Sequence, residues 1–200
     1  MAVTSTDLLM IERGGTLYKA PVSELPSGGG GGGAAGLVLL QKETITTDVA
    51  AIDFDLPSGY SRFRLFLQDV DLSGNFSIFR FSLDGGSTFI QTTSYNEHFT
   101  EERIGATTTS RSSNVGNSGV TFTQYAAASL SGVYDVMVTS DLAKISGNYT
   151  GKNSYGHYYA SGGGSLDTAS IANALRVTFF SGTKRLESGV ISLYGYKESV

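Results

Sequence analysis

The residues of this sequence that could bind a metal ion are concentrated in one short acidic stretch. Asp69, Asp71 and Gly74 occupy the first, third and sixth positions of a calcium-loop pattern. The twelfth position is Arg80, where such a loop requires a bidentate Glu, and a cation at that position repels the metal. We therefore predict an acidic turn between two strands at this place, and no metal site.

Paired carboxylates and histidines offer two further routes to catalysis. Asp53 and Asp55 alternate on one face of a candidate strand, as a glycosidase pair could, yet nothing beside them separates their environments. His98, predicted at a strand edge, and His157 have no His, Cys or Glu at ligand spacing. The sequence has no Gly-x-Ser-x-Gly nucleophile elbow, and residues 147–152 miss the phosphate-loop spacing by one residue. We predict no enzymatic activity and no cofactor.

Composition indicates an all-β protein. Of the 200 residues, 40% are hydrophobic and 16% are charged, and 26 Gly accompany 11 Tyr and 11 Phe. Gly with aromatic and β-branched residues is typical of strands and turns. The net charge of −4 and the lack of a basic cluster argue against nucleic acid as a partner. No apolar run is long enough to predict membrane insertion, and the N-terminus lacks the pattern of a signal peptide. We expect synthesis in a cytoplasm.

Three segments follow one another along the chain. Residues 1–26 contain two short apolar runs around a Gly-Gly pair, which predicts a hairpin too small to fold alone. Residues 27–36 are rich in Gly, which is typical of a flexible tether. Residues 37–200 form the main domain. Within the first segment, the residues that we expect to dock on a partner are Leu8, Leu9, Ile11, Gly14, Gly15, Leu17 and Tyr18.

The main domain contains repeated runs with a two-residue hydrophobic period. Strands with one apolar face and one polar face pack as two antiparallel sheets, so we predict an antiparallel β-sandwich of the jelly-roll type. The turn Asp84-Gly85-Gly86 is predicted to close a hairpin onto residues 88–90. The clearest runs are Arg62–Leu67, Ser77–Leu83, Tyr134–Val138, Leu175–Phe179 and Ile191–Tyr194.

Two Gly- and Ser-rich stretches, residues 105–119 and 146–165, are predicted to be long loops. The second contains a tyrosine cluster whose composition is typical of an adaptable binding surface. We interpret it either as a receptor contact, which includes stacking on a sugar, or as a subunit contact or sandwich rim. The residues concerned are Tyr155, His157, Tyr158 and Tyr159.

The opening stretch, residues 6–20 followed by Leu25-Pro26, resembles the N-termini of tailed-phage virion proteins. In those proteins a similar D-L-L-x-x-x-R-G-G-T-L-Y-K stretch precedes fibre, spike or appendage domains. Residues 172–197 are similar to the final strands of jelly-roll domains in phage tail and head appendages. Residues 82–88 match a turn found in the same group.

This resemblance implies a virion structural protein, made in the host bacterial cytoplasm and anchored by its N-terminus to other virion proteins. A homo-oligomer is implied, with a trimer favoured, and the outward aromatic residues Phe66, Phe180 and Tyr196 are candidates for its contacts. A tail fibre, a fibre adaptor and a receptor-binding tip are the leading roles, and a host glycan or protein is the expected receptor. A capsid decoration or head-fibre protein is the alternative, followed by a carbohydrate-binding or carbohydrate-active jelly roll.

Overall fold

The computed structural model describes residues 8–13, 16–21, 36–74, 77–91, 95–103, 109–117, 119–123, 127–153, 156–167, 170–180 and 183–197. Every regular element in this part of the chain is a β-strand, as the composition predicts. The strands are β1 (Leu8–Arg13), β2 (Thr16–Pro21), β3 (Gly36–Ile45), β4 (Ile52–Asp55), β5 (Arg62–Leu72), β6 (Ser77–Ser82), β7 (Tyr95–Arg103), β8 (Thr109–Asn117), β9 (Val120–Thr123), β10 (Ala127–Val138), β11 (Leu142–Asn153), β12 (Gly156–Asp167), β13 (Ala174–Phe179) and β14 (Leu186–Lys197).

The main domain, Gly36–Lys197, is a compact unit made of two antiparallel sheets. The larger sheet has the strand order β3-β14-β5-β10-β11-β12-β7-β8, and the smaller has the order β4-β13-β6-β9. From β3 to β6 the chain alternates between the two sheets. Later it passes from β9 in the smaller sheet to β10, β11 and β12 in the larger one, and then to β13 in the smaller and β14 in the larger. The predicted antiparallel sandwich is confirmed, and β7, β8, β11 and β12 widen one of its sheets.

Aromatic rings join the two sheets at the centre of the core. Phe79 of β6 stacks on Phe122 of β9 with centroids 4.5 Å apart, and it meets Tyr134 of β10 edge-on at 4.8 Å. All three side chains are buried. Burial raises the pKa of Tyr134 well above its ordinary value, because the phenolate would lose its hydration. The predicted inward positions Phe79 and Phe81 are confirmed, since neither exposes any surface.

The hairpin β1–β2 belongs to a second compact unit. Its register runs from Leu8 opposite Pro21 to Arg13 opposite Thr16, so the two predicted strands are present and two residues connect them. The connecting Gly14 and Gly15, like the tether 27–35, lie outside the described residues.

Both predictions of long loops are wrong. Residues 109–117 form β8, and nearly all of residues 146–165 belong to β11 and β12. Glycine disfavours strands because it loses backbone entropy and has no side chain to pack. Here that cost is offset because the glycines lie where another strand or ring comes close. A Cβ on Gly164, for example, would lie 2.8 Å from the side chain of Val120 in β9.

The prediction of a hairpin after Ser82 is confirmed for the turn and wrong for the second strand. Gly85 and Gly86 have positive φ values of 72° and 83° and form the expected turn. Residues 88–90 form no strand, however, and only the Ile90 N–H returns to the β6 backbone, where it donates to the Phe81 carbonyl at 2.9 Å.

Candidate binding surface

The outer face of the larger sheet divides into an aromatic half and a polar half. On β3, β5, β10 and β14 the outward side chains include apolar and aromatic residues, several of which are well exposed. Strand alternation produces this pattern, because every second residue of each strand points away from the core. We call this set the aromatic patch; it consists of Leu37, Leu39, Phe66, Met137, Tyr194 and Tyr196.

Ring contacts and an ion pair organise the aromatic patch. Phe66 and Tyr194 meet edge-to-face with centroids 5.3 Å apart. The guanidinium of Arg64 lies 5.4 Å from the ring centroid of Tyr196 and donates to Asp135 through Nε at 2.8 Å and Nη2 at 3.1 Å. This contact raises the pKa of Arg64 and lowers that of Asp135, because each charge stabilises the other. Tyrosine and arginine together are typical of protein interfaces.

On β7, β11 and β12 the outward side chains are small and polar, or charged. The cross-strand register places Thr150 beside Tyr159, and Tyr159 beside Glu102. Ser131 of β10 extends this row, since it lies opposite Thr150. Four neighbouring strands therefore present hydroxyl, hydroxyl, phenol and carboxylate groups side by side.

This row lines a concavity of about 850 Å³ that we call the Tyr159 groove. Lys152 and His157, which are opposite each other in the register of β11 and β12, lie along it. Asp69 of β5 also lines it. The Tyr159 groove therefore combines one exposed aromatic ring with acceptors and donors of both charges.

The structure separates the tyrosines of the predicted contact cluster. Tyr158 is only 3% exposed and packs edge-on against Tyr149 in the core, so its side chain cannot contact a receptor. Tyr159 is 46% exposed on the opposite face, and His157 is exposed beside it. Tyr155 lies outside the described residues. His157, Tyr158 and Tyr159 belong to a strand whose alternate residues divide between core and surface, rather than to a loop.

The predicted docking residues fall on both faces of the hairpin. Leu9 and Ile11 share a face by alternation, and Tyr18, opposite Ile11, shares that face. Leu8 occupies the other face together with Leu17, which lies opposite Glu12.

The acidic stretch is not the turn that the sequence predicts. Asp69 and Asp71 lie inside β5, where the ladder to β10 is irregular. Asp71 accepts a hydrogen bond from the Ser129 N–H at 2.6 Å through Oδ1 and from the Ser188 hydroxyl at 2.7 Å through Oδ2. Asp69 Oδ1 accepts from the Ser129 hydroxyl at 3.0 Å. These carboxylates join β5 to both neighbouring strands at bulges, where the backbone groups would otherwise lack ladder partners.

The other candidates for chemistry lie in two different sheets. Asp53 accepts two hydrogen bonds from Arg176, at 2.6 and 2.7 Å, and this bidentate pair raises the pKa of the guanidinium. Asp53 and Asp55 lie on the short strand β4 in the smaller sheet. His98 lies inside β7, which is paired with β12 and β8, and not at a strand edge as predicted.

The described part of the chain holds neither a cluster of metal ligands nor a helix that could span a membrane. No three His, Cys, Asp or Glu residues are grouped there closely enough to hold a metal ion. No helix with the length and apolar character of a membrane span was found in the same part of the chain. No protein-family model, curated protein or solved structure matches this chain.

Sequence reasoning missed most of the Tyr159 groove. Asp69, Glu102 and Thr150 come from three strands that are distant in sequence, and only the register brings them together. One local signal was available. The alternation of Tyr149 with Thr150, and of Tyr158 with Tyr159, has the two-residue period of strands with one buried face.

Proposed function

We propose that this chain is a structural component of a tailed-phage virion, an appendage protein that docks through its N-terminal hairpin and presents the jelly-roll sandwich. The observation that carries the proposal is the organisation into two units, a hairpin and a complete sandwich. A two-stranded hairpin has too little apolar area to be stable by itself in water. A docking role gives its apolar residues a partner surface, in agreement with the resemblance of residues 6–20 to virion proteins.

The proposed role is structural and not enzymatic. One acid of the candidate catalytic pair, Asp53, and one acid of the calcium-loop pattern, Asp71, make structural contacts. Asp53 is paired with Arg176, and Asp71 bridges three strands through Ser129 and Ser188. A catalytic carboxylate pair needs two acids facing one substrate in contrasting environments. The contacts of Asp53 and Asp71 therefore support a scaffold role.

We extend the proposal to a homo-oligomer, with a trimer favoured by the resemblance, that is formed through the aromatic patch. Leu37 is 41% exposed and Leu39 is 50% exposed on the edge strand β3, beside the half-buried rings of Phe66 and Tyr194. A contiguous apolar patch on a sheet is typical of a protein contact. Phe180, the third outward aromatic residue that the sequence suggested, is 61% exposed and directly follows β13.

The experiment that tests the proposed function is detection of the chain in purified particles. Mass spectrometry of gradient-purified virions, followed by antibody labelling in electron microscopy, is expected to find the chain at a fixed copy number. Label on the tail supports a fibre, fibre adaptor or tip, and label on the head supports the alternative, a capsid decoration or head fibre. Abundant chain in infected cells with none in the particles would contradict the proposal.

A further inference from the structure

The Tyr159 groove lies on the outer face of the larger sheet, around the ring of Tyr159. Tyr159 stands at the centre with Thr150 on one side and Glu102 on the other, as consecutive partners in the strand register. Lys152 and His157 form the next cross-strand pair along the same face. The floor is the sheet itself, where a Cβ on Gly151 would lie 2.7 Å from the hydroxyl oxygen of Tyr158. The centre of the groove is therefore built on the paired strands β11 and β12, and β5, β7 and β10 supply its remaining lining residues.

The ring of Tyr159 is exposed because its two neighbours along β12 point into the core. Its neighbours Tyr158 and Ala160 point into the core and are 3% and 0% exposed, which fixes the backbone and orients Tyr159 outward. A tyrosine ring offers a large, rigid apolar area with two rotatable bonds and a polar tip. A flat ring held outward in a concave polar surface suits a ligand with one apolar face and polar edges.

The polar groups around the ring fit the edges of such a ligand. Glu102 and Asp69 supply carboxylate acceptors, Lys152 supplies an ammonium donor, and Thr150 supplies a hydroxyl that donates or accepts. Pyranose sugars present an apolar C–H face and a rim of hydroxyl groups that both donate and accept. A nucleic acid is a poorer match, because two carboxylates in the groove and a net charge of −4 repel phosphates.

Two residues that line the groove, Asp69 and Ser129, have an unusual backbone conformation. Asp69 and Ser129 both line the groove and have positive φ values of 49° and 56°, which non-glycine residues rarely adopt. Hydrogen bonds hold them there: the Asp69 N–H donates to the Ser131 hydroxyl at 3.0 Å, and the Ser129 hydroxyl donates to Asp69. The Asp69 carboxylate is thus preorganised at the groove, and backbone strain of this kind is concentrated at ligand sites.

From this geometry we propose that the Tyr159 groove binds a pyranose-containing oligosaccharide. The ring of Tyr159 stacks on the apolar face of one sugar, and Glu102, Asp69 and Lys152 bind its hydroxyl groups. The inference goes beyond the proposed function, because it concerns a ligand of the sandwich and does not depend on where the chain is assembled. In a virion appendage, such a site would contact host-surface glycans, and repetition in an oligomer would multiply its strength.

The test uses the full chain and an array of purified bacterial surface polysaccharides, with titration calorimetry on those that bind. We expect at least one pyranose polysaccharide to bind, and Tyr159→Ala to weaken its affinity by about ten-fold or more, since a central aromatic contact dominates such sites. Tyr159→Phe keeps the ring and is expected to retain most of the affinity. Glu102→Gln is expected to weaken binding several-fold through the loss of charge-assisted hydrogen bonds.

Phe180→Ala is the matched control, because Phe180 is an exposed aromatic residue outside the groove lining and should not alter binding. Thermal melting of each variant confirms that the sandwich is intact. Tyr158 is left unchanged, since its burial in the core makes its removal a folding defect. Absence of binding to every polysaccharide, or equal affinity of the Tyr159→Ala variant, would overturn the proposal. Neither result would alter the detection of the chain in particles, so the two proposals fail separately.

Discussion

Glycines face aromatic residues across the strands of the larger sheet. In each pair the glycine leaves room for the ring or backbone of its partner, so that a Cβ there would meet the neighbouring strand. This arrangement compensates for the poor strand propensity of glycine, because the aromatic residue covers the backbone that glycine leaves bare. The pairs are Gly132 with Tyr149, Gly147 with Tyr134, Gly151 with Tyr158 and Gly162 with Phe99.

Replacement of Gly147 by Ala tests this pairing. The added Cβ would collide with the Val133 carbonyl oxygen and lie 2.7 Å from Tyr134, in part against backbone that cannot turn aside. We expect a loss of about 1–3 kcal/mol in the free energy of unfolding, as in other overpacked cores. Urea denaturation followed by circular dichroism measures it. Gly59→Ala is the control, since a Cβ there meets nothing within 4 Å and should change stability by less than about 0.5 kcal/mol.

The turn after β6 depends on the carboxylate of Asp84. It accepts hydrogen bonds from the Thr88 hydroxyl, from the Thr88 N–H at 2.8 Å and from the Ser82 hydroxyl at 2.7 Å, which lowers the pKa of Asp84 to about 2. Since the folded pKa lies below the unfolded value of about 3.9, this contribution to stability is present above pH ~4 and is lost as the pH falls towards ~2.

An NMR titration of the side-chain carboxyl carbon is expected to give a midpoint near 2 for Asp84. Asp84→Asn should make the free energy of unfolding fall less steeply between pH ~4 and pH ~2, because the titrating carboxylate is gone. A midpoint close to that of a free aspartate, about 3.9, would contradict the turn geometry.

At the level of elements, one tyrosine of the larger sheet completes the hydrogen bonding of the smaller one. The β6–β9 ladder extends as far as Phe79 opposite Val120. Beyond it, the Phe81 N–H donates to the hydroxyl of Tyr95 at 2.9 Å, and that hydroxyl donates to the Ile90 carbonyl at 3.2 Å. Tyr95, on β7, thus joins the two sheets where β9 has ended.

Tyr95→Phe is expected to destabilise the sandwich by about 1–3 kcal/mol, because it leaves the buried N–H of Phe81 without its acceptor. Burial also raises the pKa of Tyr95 to about 12. A raised folded pKa means that the stabilisation is complete below pH ~10 and is lost as the pH rises through ~12. Urea denaturation and an alkaline absorbance titration check both effects. Tyr159→Phe, at an exposed hydroxyl, is the control, and equal stabilities of the two variants would refute the role of Tyr95.

The strands that could be predicted from the sequence differ from those that were missed in how clearly apolar and polar side chains alternate. Strands β5, β6, β13 and β14 alternate bulky apolar residues with polar ones, so the period is visible in the sequence. In β12 the inward positions include Gly162 and Gly164, because Phe99 and Val120 occupy the space that larger side chains would need. Along most of β12 hydrophobicity therefore carries no period. The part of the Tyr159 groove that lies outside β12 was unpredictable, since Asp69, Thr150 and Glu102 are brought to Tyr159 by the pairing of the strands.

At the scale of the whole molecule, the aromatic patch is expected to hold copies of the chain together. Light scattering should give a trimer mass for the full chain. Phe66→Ser combined with Tyr194→Ser removes the two rings that meet edge-to-face on the outer surface. We expect this variant to dissociate to monomers with little change in the fold, because both side chains point away from the core. Tyr159→Ala, on the polar half, should leave the mass unchanged. A monomeric full chain at high concentration would disprove this contact.

The two-unit organisation leads to a specific requirement for the hairpin. If docking depends on the face to which the register assigns Leu9, Ile11 and Tyr18, polar substitution at these three residues should prevent attachment while the sandwich remains folded. Substitution at Glu12 and Lys19, which share the other face by register, is the matched control. Leu8 and Leu17, also on that other face, were expected from the sequence to dock and can be tested in the same series.

The most direct measurement of the central claim is the amount of chain incorporated into particles when residues 1–26 are deleted. We predict that purified virions carry almost none of the shortened chain, although circular dichroism shows its β-sandwich intact. The variant with polar substitutions at Leu9, Ile11 and Tyr18 should also be nearly absent from virions. The variant with substitutions at Glu12 and Lys19 should be incorporated normally. Virions that carry the shortened chain at the wild-type copy number would contradict the account.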